Sequence, residues 1–496
     1  MNRRIATQRA GEEKLGSEAL VILGLAVAFG AYMAWNIGAN DVANSMGTSV
    51  GSRALTVRQA IVAAAVANFL GAVLVGGHVT DTVRKKMIDP GIFADDIHLL
   101  AYGMLAALLA AGLWLQFATY LKMPVSTTQS IIGGVVGFAL VAAGAKAVAW
   151  GKVSQIVLSW LVCPAISGVA AYLLSTLVRT RIINSHDPIG ATRRWTPIMV
   201  FAVFFTLCLV ILFKGLKNLH LDLPWQQAVV ASGLVGGLAA VFGWILVGRA
   251  QPPPEDQEAL ALASQERRHA QLLQALDRAL AALKGAEVAT TGGPSDAKVS
   301  EAASVVEALV KEVQASTPAP PLGGERSFRF VERVFASLQV VSACCLAFAH
   351  GSNDVANAVG PLAAVANVVQ SGTVAGKVAI PMWTLVLGGA FIAFGIATWG
   401  QRVMVTVGKR ITHLTATRGF SAEFAAAVTV VLASRLGLPV STTHVIVGAV
   451  MGVGLARGIA SVDWRVTLKM SSMWVLEVPA VALISGGLFL LLRALF

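Results

Sequence analysis

The feature that most restricts this chain is a series of continuously apolar runs, each about 18–25 residues long, the length a helix needs to cross a bilayer core. They lie near 19–37, 59–77, 99–120, 154–178, 197–216, 226–247, 333–350, 380–400, 423–436 and 470–493, with shorter, interrupted pieces at 125–144 and 440–456. Membrane strands alternate apolar and polar side chains over about ten positions, and these runs do not alternate. Of the 496 residues, 56% are hydrophobic and 13% charged, and the mean hydropathy of +0.71 lies outside the range of soluble domains. An all-α integral membrane protein is therefore expected. Arg3, Arg4, Arg9 and Lys14 precede the first run, but that run is long for a signal-peptide core and continues into GANDVANS without a cleavage pattern, so it reads as an uncleaved span.

The net charge of +12 does not point to nucleic acid. Residues 251–327 hold 11 acidic and 7 basic side chains, a net of −4, which leaves +16 for the membrane part and its short loops. Arg179, Arg181, Arg193 and Arg194 read as cytoplasmic anchors under the positive-inside rule. That rule places 179–195 inside, the tip near 217–225 outside and 249–332 inside again. Cys163, Cys208, Cys344 and Cys345 lack CxxC spacing and read as small buried hydrophobes.

Two repeated motifs give the chain its organisation. GANDVANSMG (38–47) is answered by GSNDVANAVG (351–360), and PVSTTQSIIGGVVGFAL (124–140) matches PVSTTHVIVGAVMGVGL (439–455) at ten of seventeen positions. The spacing agrees too: Asp41 to Ser126 is 85 residues and Asp354 to Ser441 is 87. Trp160 and Pro164 are echoed by Trp474 and Pro479. A duplicated membrane domain follows, with a first repeat and extra spans in 1–250, a linker at 251–327 and a second repeat in 328–496. The linker opens with QPPPEDQE, carries Ala/Leu/Glu/Arg-rich stretches of helical propensity, breaks at TTGGPSD and ends in STPAPPLGGE. It reads as a cytoplasmic, partly helical spacer.

Of the fifteen acidic residues outside the linker, Asp41, Asp354, Glu477 and, at a helix start, Glu423 lie in or beside apolar runs. An aspartate at mid-membrane costs about 2.5–3.5 kcal/mol on insertion scales, and such residues usually line an ion or substrate path. Asn40 and Asn44 flank Asp41, and Asn353 and Asn357 flank Asp354; in a helix each Asp shares a face with the Asn three residues on. A helix broken at these motifs would add free carbonyls, giving the hard oxygen donors that a small cation prefers. PVSTT has the opposite electrical sense. Its proline suits a helix start, and its hydroxyls stand where the first backbone N–H groups lack partners, at a positive helix end suited to an oxyanion. Two carboxylates and a phosphate in one site would bury more negative charge than two helix ends offset, so cations are expected to enter with the anion.

On these residues the chain resembles the inorganic phosphate transporter family, the sodium- or proton-coupled phosphate permeases. The matching blocks are GANDVANSMGTSVGSRALT (38–56), FAHGSNDVANAVGPLAA (348–364) and both PVSTT segments. The resemblance implies two inverted repeats, about twelve membrane segments including discontinuous or re-entrant helices, and no cofactor beyond a co-transported sodium ion or proton. It assigns phosphate to Ser126, Thr127, Thr128 and Gln129 with Ser441, Thr442 and Thr443. Cations fall to Asp41, Asn44, Asp354 and Asn357, beside Asn40 and Asn353. His444 stands where the first repeat has Gln129 and either donates to the anion or only caps its helix. Many eukaryotic members carry a glutamate where this chain has Asn68, which leaves sodium, proton or metal–phosphate coupling open. His78 and His350 read as structural hydrogen-bonders, since neither has a second histidine at ligand spacing. The expected setting is the lipid bilayer of a plasma membrane, an inner membrane if bacterial, with a homodimer as the assembly considered.

Sulfate is the main rival substrate. Phosphate keeps a proton to share with a carboxylate and sulfate does not, so carboxylates at the site favour phosphate. A hydrolase would need a nucleophile and base in reach; Ser126 or Ser441 with His444 is the nearest approach, and the first repeat has Gln129 in place of the base. Duplicated, Gly-interrupted motifs favour alternating access over a channel.

Overall fold

The computed structural model describes residues 2–76, 90–93, 96–214, 224–289, 296–315, 329–371, 380–409, 411–435 and 440–496. Among these residues every regular element is helical. Nine helices are long and apolar enough to cross a membrane, among the described residues: α1 (Asn2–Gly51), α2 (Val57–Val75), α3 (Ile97–Tyr120), α5 (Trp150–Val178), α7 (Trp225–Arg249), α10 (Arg329–Ser371), α11 (Met382–Trp399), α13 (Ala416–Arg435) and α15 (Trp464–Leu495). The span expected near 197–216 falls in α6 (Pro188–Lys214), which is not among the nine, and its last residues, 215–216, lie outside the described residues. Two shorter apolar helices, α4 (Thr127–Ala143) and α14 (Thr442–Leu455), come next in the chain after α3 and α13. α12 (Gln401–Lys409) packs beside α1. Of the linker, α8 (Pro254–Ala289) and α9 (Asp296–Ala315) are described, and they pack on each other.

The two halves interleave. α1 packs on α11 while α10 packs on α2, and α4 packs on α15 while α14 packs on α5. Glycines allow the first pair of contacts at the motifs themselves. A Cβ at Gly38 would sit 1.9 Å from the Ile392 carbonyl oxygen, and one at Gly351 would sit 2.2 Å from the Asn68 carbonyl oxygen. Close backbone approach through small residues is how apolar helices associate in lipid, where burial of apolar surface gives no driving force.

One expectation is corrected here. Both NDVAN motifs lie inside unbroken helices, α1 and α10, so no backbone carbonyl is freed beside Asp41 or Asp354. The preceding glycines serve helix packing, and the side chains alone offer oxygen. The discontinuities fall instead at the hydroxyl motifs, where the helix begins one residue after Ser126 and again after Ser441.

Candidate functional site

At residues 124–128 the extended backbone of Ser126 (φ −100°, ψ 109°) starts α4, and its side-chain oxygen accepts from the Gln129 N–H at 3.2 Å. Ser441 does the same for α14, accepting from the His444 N–H at 3.2 Å. The serine, not the proline, is thus the cap, because its oxygen satisfies one of the otherwise unpaired N–H groups of the first turn. Pro124 stands two residues earlier, and its carbonyl accepts from Trp474 Nε1 at 3.3 Å; Pro439 lies outside the described residues, as does His78. A capping hydroxyl still has its own proton to donate.

The two helix tips meet. Thr443 Oγ1 donates to the Val125 carbonyl at 2.8 Å, and Thr128 Oγ1 donates to the Val440 carbonyl at 3.5 Å. Each tip is also held by the acid–amide motif of the other repeat. Asn44 Nδ2 donates to Thr443 Oγ1 at 2.9 Å and Thr442 Oγ1 at 3.4 Å, while Asn357 Nδ2 donates to Thr127 Oγ1 at 3.3 Å and Thr128 Oγ1 at 3.4 Å. Ser126, Thr127, Thr128, Gln129, Ser441, Thr442 and Thr443 are all buried, as are Asn44, Asn357 and both aspartates. Four polar motifs spread over the whole sequence therefore form one locus.

The aspartates differ. Asp354 is well supplied: Oδ1 accepts from Asn353 Nδ2 at 2.8 Å, and Oδ2 accepts from Thr442 Oγ1 at 3.1 Å and lies 2.6 Å from His350 Nε2. Asp41 is not. Its two oxygens and Asn44 Oδ1, one turn on, are buried without a hydrogen-bond partner, and His350 Nε2 lies 3.4 Å from Asp41 Oδ2. Oxygens left this way are costly unless something else satisfies them. They match the donor set a hard cation takes, so the first repeat offers the open position.

His350 is a hydrogen-bonder, as its lack of a second histidine at ligand spacing suggests, and it also stands between both acids. Its Nδ1–H donates to Asn68 Oδ1 at 2.7 Å, and Asn68 is itself anchored through Nδ2 to the Ala64 carbonyl at 2.8 Å. That bond turns Nε2 to the carboxylates, and single ligand atoms of Asp41, His350 and Asp354 lie within 4.8 Å of one another. The spacing of His350 four residues before Asp354 signalled the shared helix face; the reach to Asp41 depends on helix packing. Asn40 is committed elsewhere. Its Nδ2 donates to Thr119 Oγ1 at 2.9 Å and the Met123 carbonyl at 3.1 Å, and its Oδ1 accepts from the Val125 N–H at 3.2 Å, so it clasps the α3–α4 turn and has no spare oxygen. His444 turns its ring onto Trp474, with centroids 4.0 Å apart, and Nδ1 lies 3.4 Å from the Trp160 carbonyl.

The remaining buried acids have partners that spacing did not reveal. Glu423 accepts from Thr48 Oγ1 (2.5 Å), Ser49 Oγ (2.7 Å), Ser342 Oγ (2.7 Å) and Gln339 Nε2 (3.1 Å). Glu477 accepts from the Ser126 N–H at 3.0 Å and Ser130 Oγ at 2.5 Å. The hydroxyl-rich SMGTS after the first motif hinted at the former; the latter has no local signal.

The model of the phosphate transporter family matches residues 37–485. A relative from Pyrococcus abyssi, named as a phosphate permease, is 38% identical over 472 residues, 95% of this chain and 96% of the relative. The inorganic phosphate transporter 2-1, chloroplastic, of Arabidopsis thaliana is 40% identical over 453 residues, 91% of this chain and 69% of that protein. A solved structure described as the sodium-dependent phosphate transporter superposes with a TM-score of 0.74 at 36% identity, covering 96% of this chain and 100% of the other. Motifs, fold and relatives agree, and the chain belongs to the phosphate transporter family.

Proposed function

We propose that this chain is a secondary active transporter that carries inorganic phosphate across a plasma membrane in symport with a cation. The observation that carries the reading is the reciprocal pairing of Asn44 with Thr442 and Thr443, and of Asn357 with Thr127 and Thr128. It sets two positive helix ends beside two buried carboxylates, so an oxyanion and a cation have adjacent places and each offsets the other's charge. Phosphate is held by the hydroxyls and N–H groups of Ser126 to Gln129 and Ser441 to Thr443. The cation takes Asp41 and Asn44, whose oxygens are otherwise unsatisfied, with Asp354 and Asn357 completing the second side. Sodium is the favoured ion, because the solved relative is described as sodium-dependent and the open donors are hard oxygens. A cation entering there competes with His350 for Asp41 and Asp354.

The repeats are inverted in this reading, about twelve segments span or enter the bilayer, and α3–α4 and α13–α14 are re-entrant hairpins meeting at mid-membrane. Uptake of labelled phosphate into proteoliposomes, with sodium and pH gradients imposed separately, tests the proposal. Accumulation driven by the sodium gradient is expected. Equal uptake with every cation gradient collapsed would refute symport, and inhibition by sulfate but not arsenate would reverse the choice of anion.

A further inference from the structure

The hydroxyl-bearing tip of α4 already holds an anion of the protein's own. Glu477, fully buried on α15, accepts through Oε2 from the backbone N–H of Ser126, the cap residue of the helix end assigned to phosphate. At the other tip Asp354 accepts from the Thr442 hydroxyl, and among the described residues no carboxylate takes the backbone N–H of Ser441, the counterpart of Ser126. By the alignment of Trp160 and Pro164 with Trp474 and Pro479, the place of Glu477 falls at Val162 or Cys163, and the place of Ser130 falls at Val445. The acid and its hydroxyl partner thus occur together on one tip and are both missing from the second.

Ser130 makes this carboxylate able to hold or release a proton without losing a hydrogen bond. Ser130 Oγ lies 2.5 Å from Glu477 Oε1 and 3.2 Å from the Ser126 carbonyl oxygen, two acceptors for a single hydroxyl proton. With Glu477 ionised, Ser130 donates to Oε1. When a proton binds Oε1, that O–H donates to Ser130 Oγ, and Ser130 turns its own proton to the Ser126 carbonyl. Oε2 keeps the Ser126 N–H in both states. Heavy atoms stay in place, and only protons and charge change.

We propose that Glu477 is a proton-binding residue whose charge opposes that of phosphate at the first helix end, so that phosphate binding draws a proton from the aqueous side onto Glu477. The inference rests on the phosphate-binding reading of that tip. An ionised carboxylate on Ser126 and a phosphate on Thr127 and Thr128 compete for the same roughly half positive charge; the protonated acid removes the competitor. Among the described residues the surroundings supply no fixed cation that would hold the carboxylate ionised. α4 carries no titratable side chain, α3 carries His98, Tyr102 and Tyr120, and Tyr102 stacks on Phe496 at the far end of α15. Asp41 on α1 repels the Glu477 charge, and His444 on α14 faces Trp474. On α15 itself Arg465, Lys469 and Arg493 lie two turns or more along the helix.

The test is phosphate binding by the purified full-length protein at saturating sodium, from mildly acidic to mildly alkaline pH, by calorimetry in buffers of different ionisation enthalpy. Wild type should take up more protons per phosphate than Glu477→Gln, which keeps the size of the side chain and an oxygen for Ser126. At alkaline pH the variant should bind phosphate more tightly than wild type, by a factor within the about 5–150-fold usual for coupled sites, and the two should converge as pH falls. Ser130 keeps a hydrogen bond in both states, but the one it donates to the charged carboxylate is the stronger, so Ser130→Ala favours the protonated acid and its phosphate affinity should persist to higher pH. Identical proton counts and pH profiles in wild type and both variants would overturn the inference and leave the transporter reading intact. Loss of phosphate binding by Glu477→Gln at every pH would make the carboxylate part of the receiving structure and also overturn it. Failure of wild type to bind phosphate at any pH would overturn the transporter reading with it.

Discussion

At the scale of single residues the two repeats are not equivalent, and this asymmetry sets the expected effects of substitution. Asp41 has only the 3.4 Å approach of His350, whereas Asp354 receives Asn353 and Thr442 and meets His350 at 2.6 Å. Asp41→Asn gives up only the 3.4 Å approach of His350 Nε2 and should therefore cost less thermal stability in detergent than Asp354→Asn, yet abolish cation-coupled uptake. Asp354→Asn should also abolish coupling and in addition cost about 2 kcal/mol, because hydrogen bonds to a charged group contribute about 1.5–3 kcal/mol. Membrane insertion of both is expected to be normal by surface or protease accessibility. Thr443→Ala removes the bond to the Val125 carbonyl and the acceptor for Asn44; phosphate affinity by equilibrium binding should fall about tenfold, near 1.4 kcal/mol. The acids, amides and hydroxyls of this locus were legible as sequence because polar residues repeat against an apolar background. The clasp of Asn40 on the α3–α4 turn and the place of His350 between two acids were not, since the first depends on contacts between residues 79 or more positions apart and the second on a reach across the packed α1–α10 pair.

At the scale of elements, sequence and structure part at the glycines. Glycine before a polar motif in an apolar run suggested a broken helix, but Gly38 and Gly351 lie within helices that pass straight through. A helix keeps its hydrogen bonds through such a motif at little cost, and the missing side chain is used for close approach to α11 and α2. Gly38→Ala should thus act through packing: its Cβ would lie 1.9 Å from the Ile392 carbonyl oxygen, which forces α1 and α11 apart. Size-exclusion profiles and thermal unfolding should show a loss of several kcal/mol, in the range of overpacked cores, whereas Gly24→Ala, with nothing within 4 Å of the added carbon, should behave as wild type. The helix starts at Ser126 and Ser441 were readable because capping serines carry a local signature.

At the scale of the whole molecule, duplication was visible in the sequence while interleaving was not: the pairing of α4 with α15 and α14 with α5 is a property of packing that no spacing encodes. The linker helices α8 and α9 pack on each other; if the linker is the spacer proposed from its composition, replacing residues 254–315 with a flexible linker should leave the half-saturating phosphate concentration for uptake within about twofold. In the proposed reading, cation and phosphate bind as neighbours and strengthen each other. The most direct test is equilibrium phosphate binding by the purified protein with and without sodium, in wild type and in Asp41→Asn. Sodium should tighten phosphate binding by at least about fivefold in wild type, the lower end of typical coupling, and have no effect in the variant. Phosphate affinity indifferent to sodium in wild type, or an undiminished sodium effect in Asp41→Asn, would contradict the account.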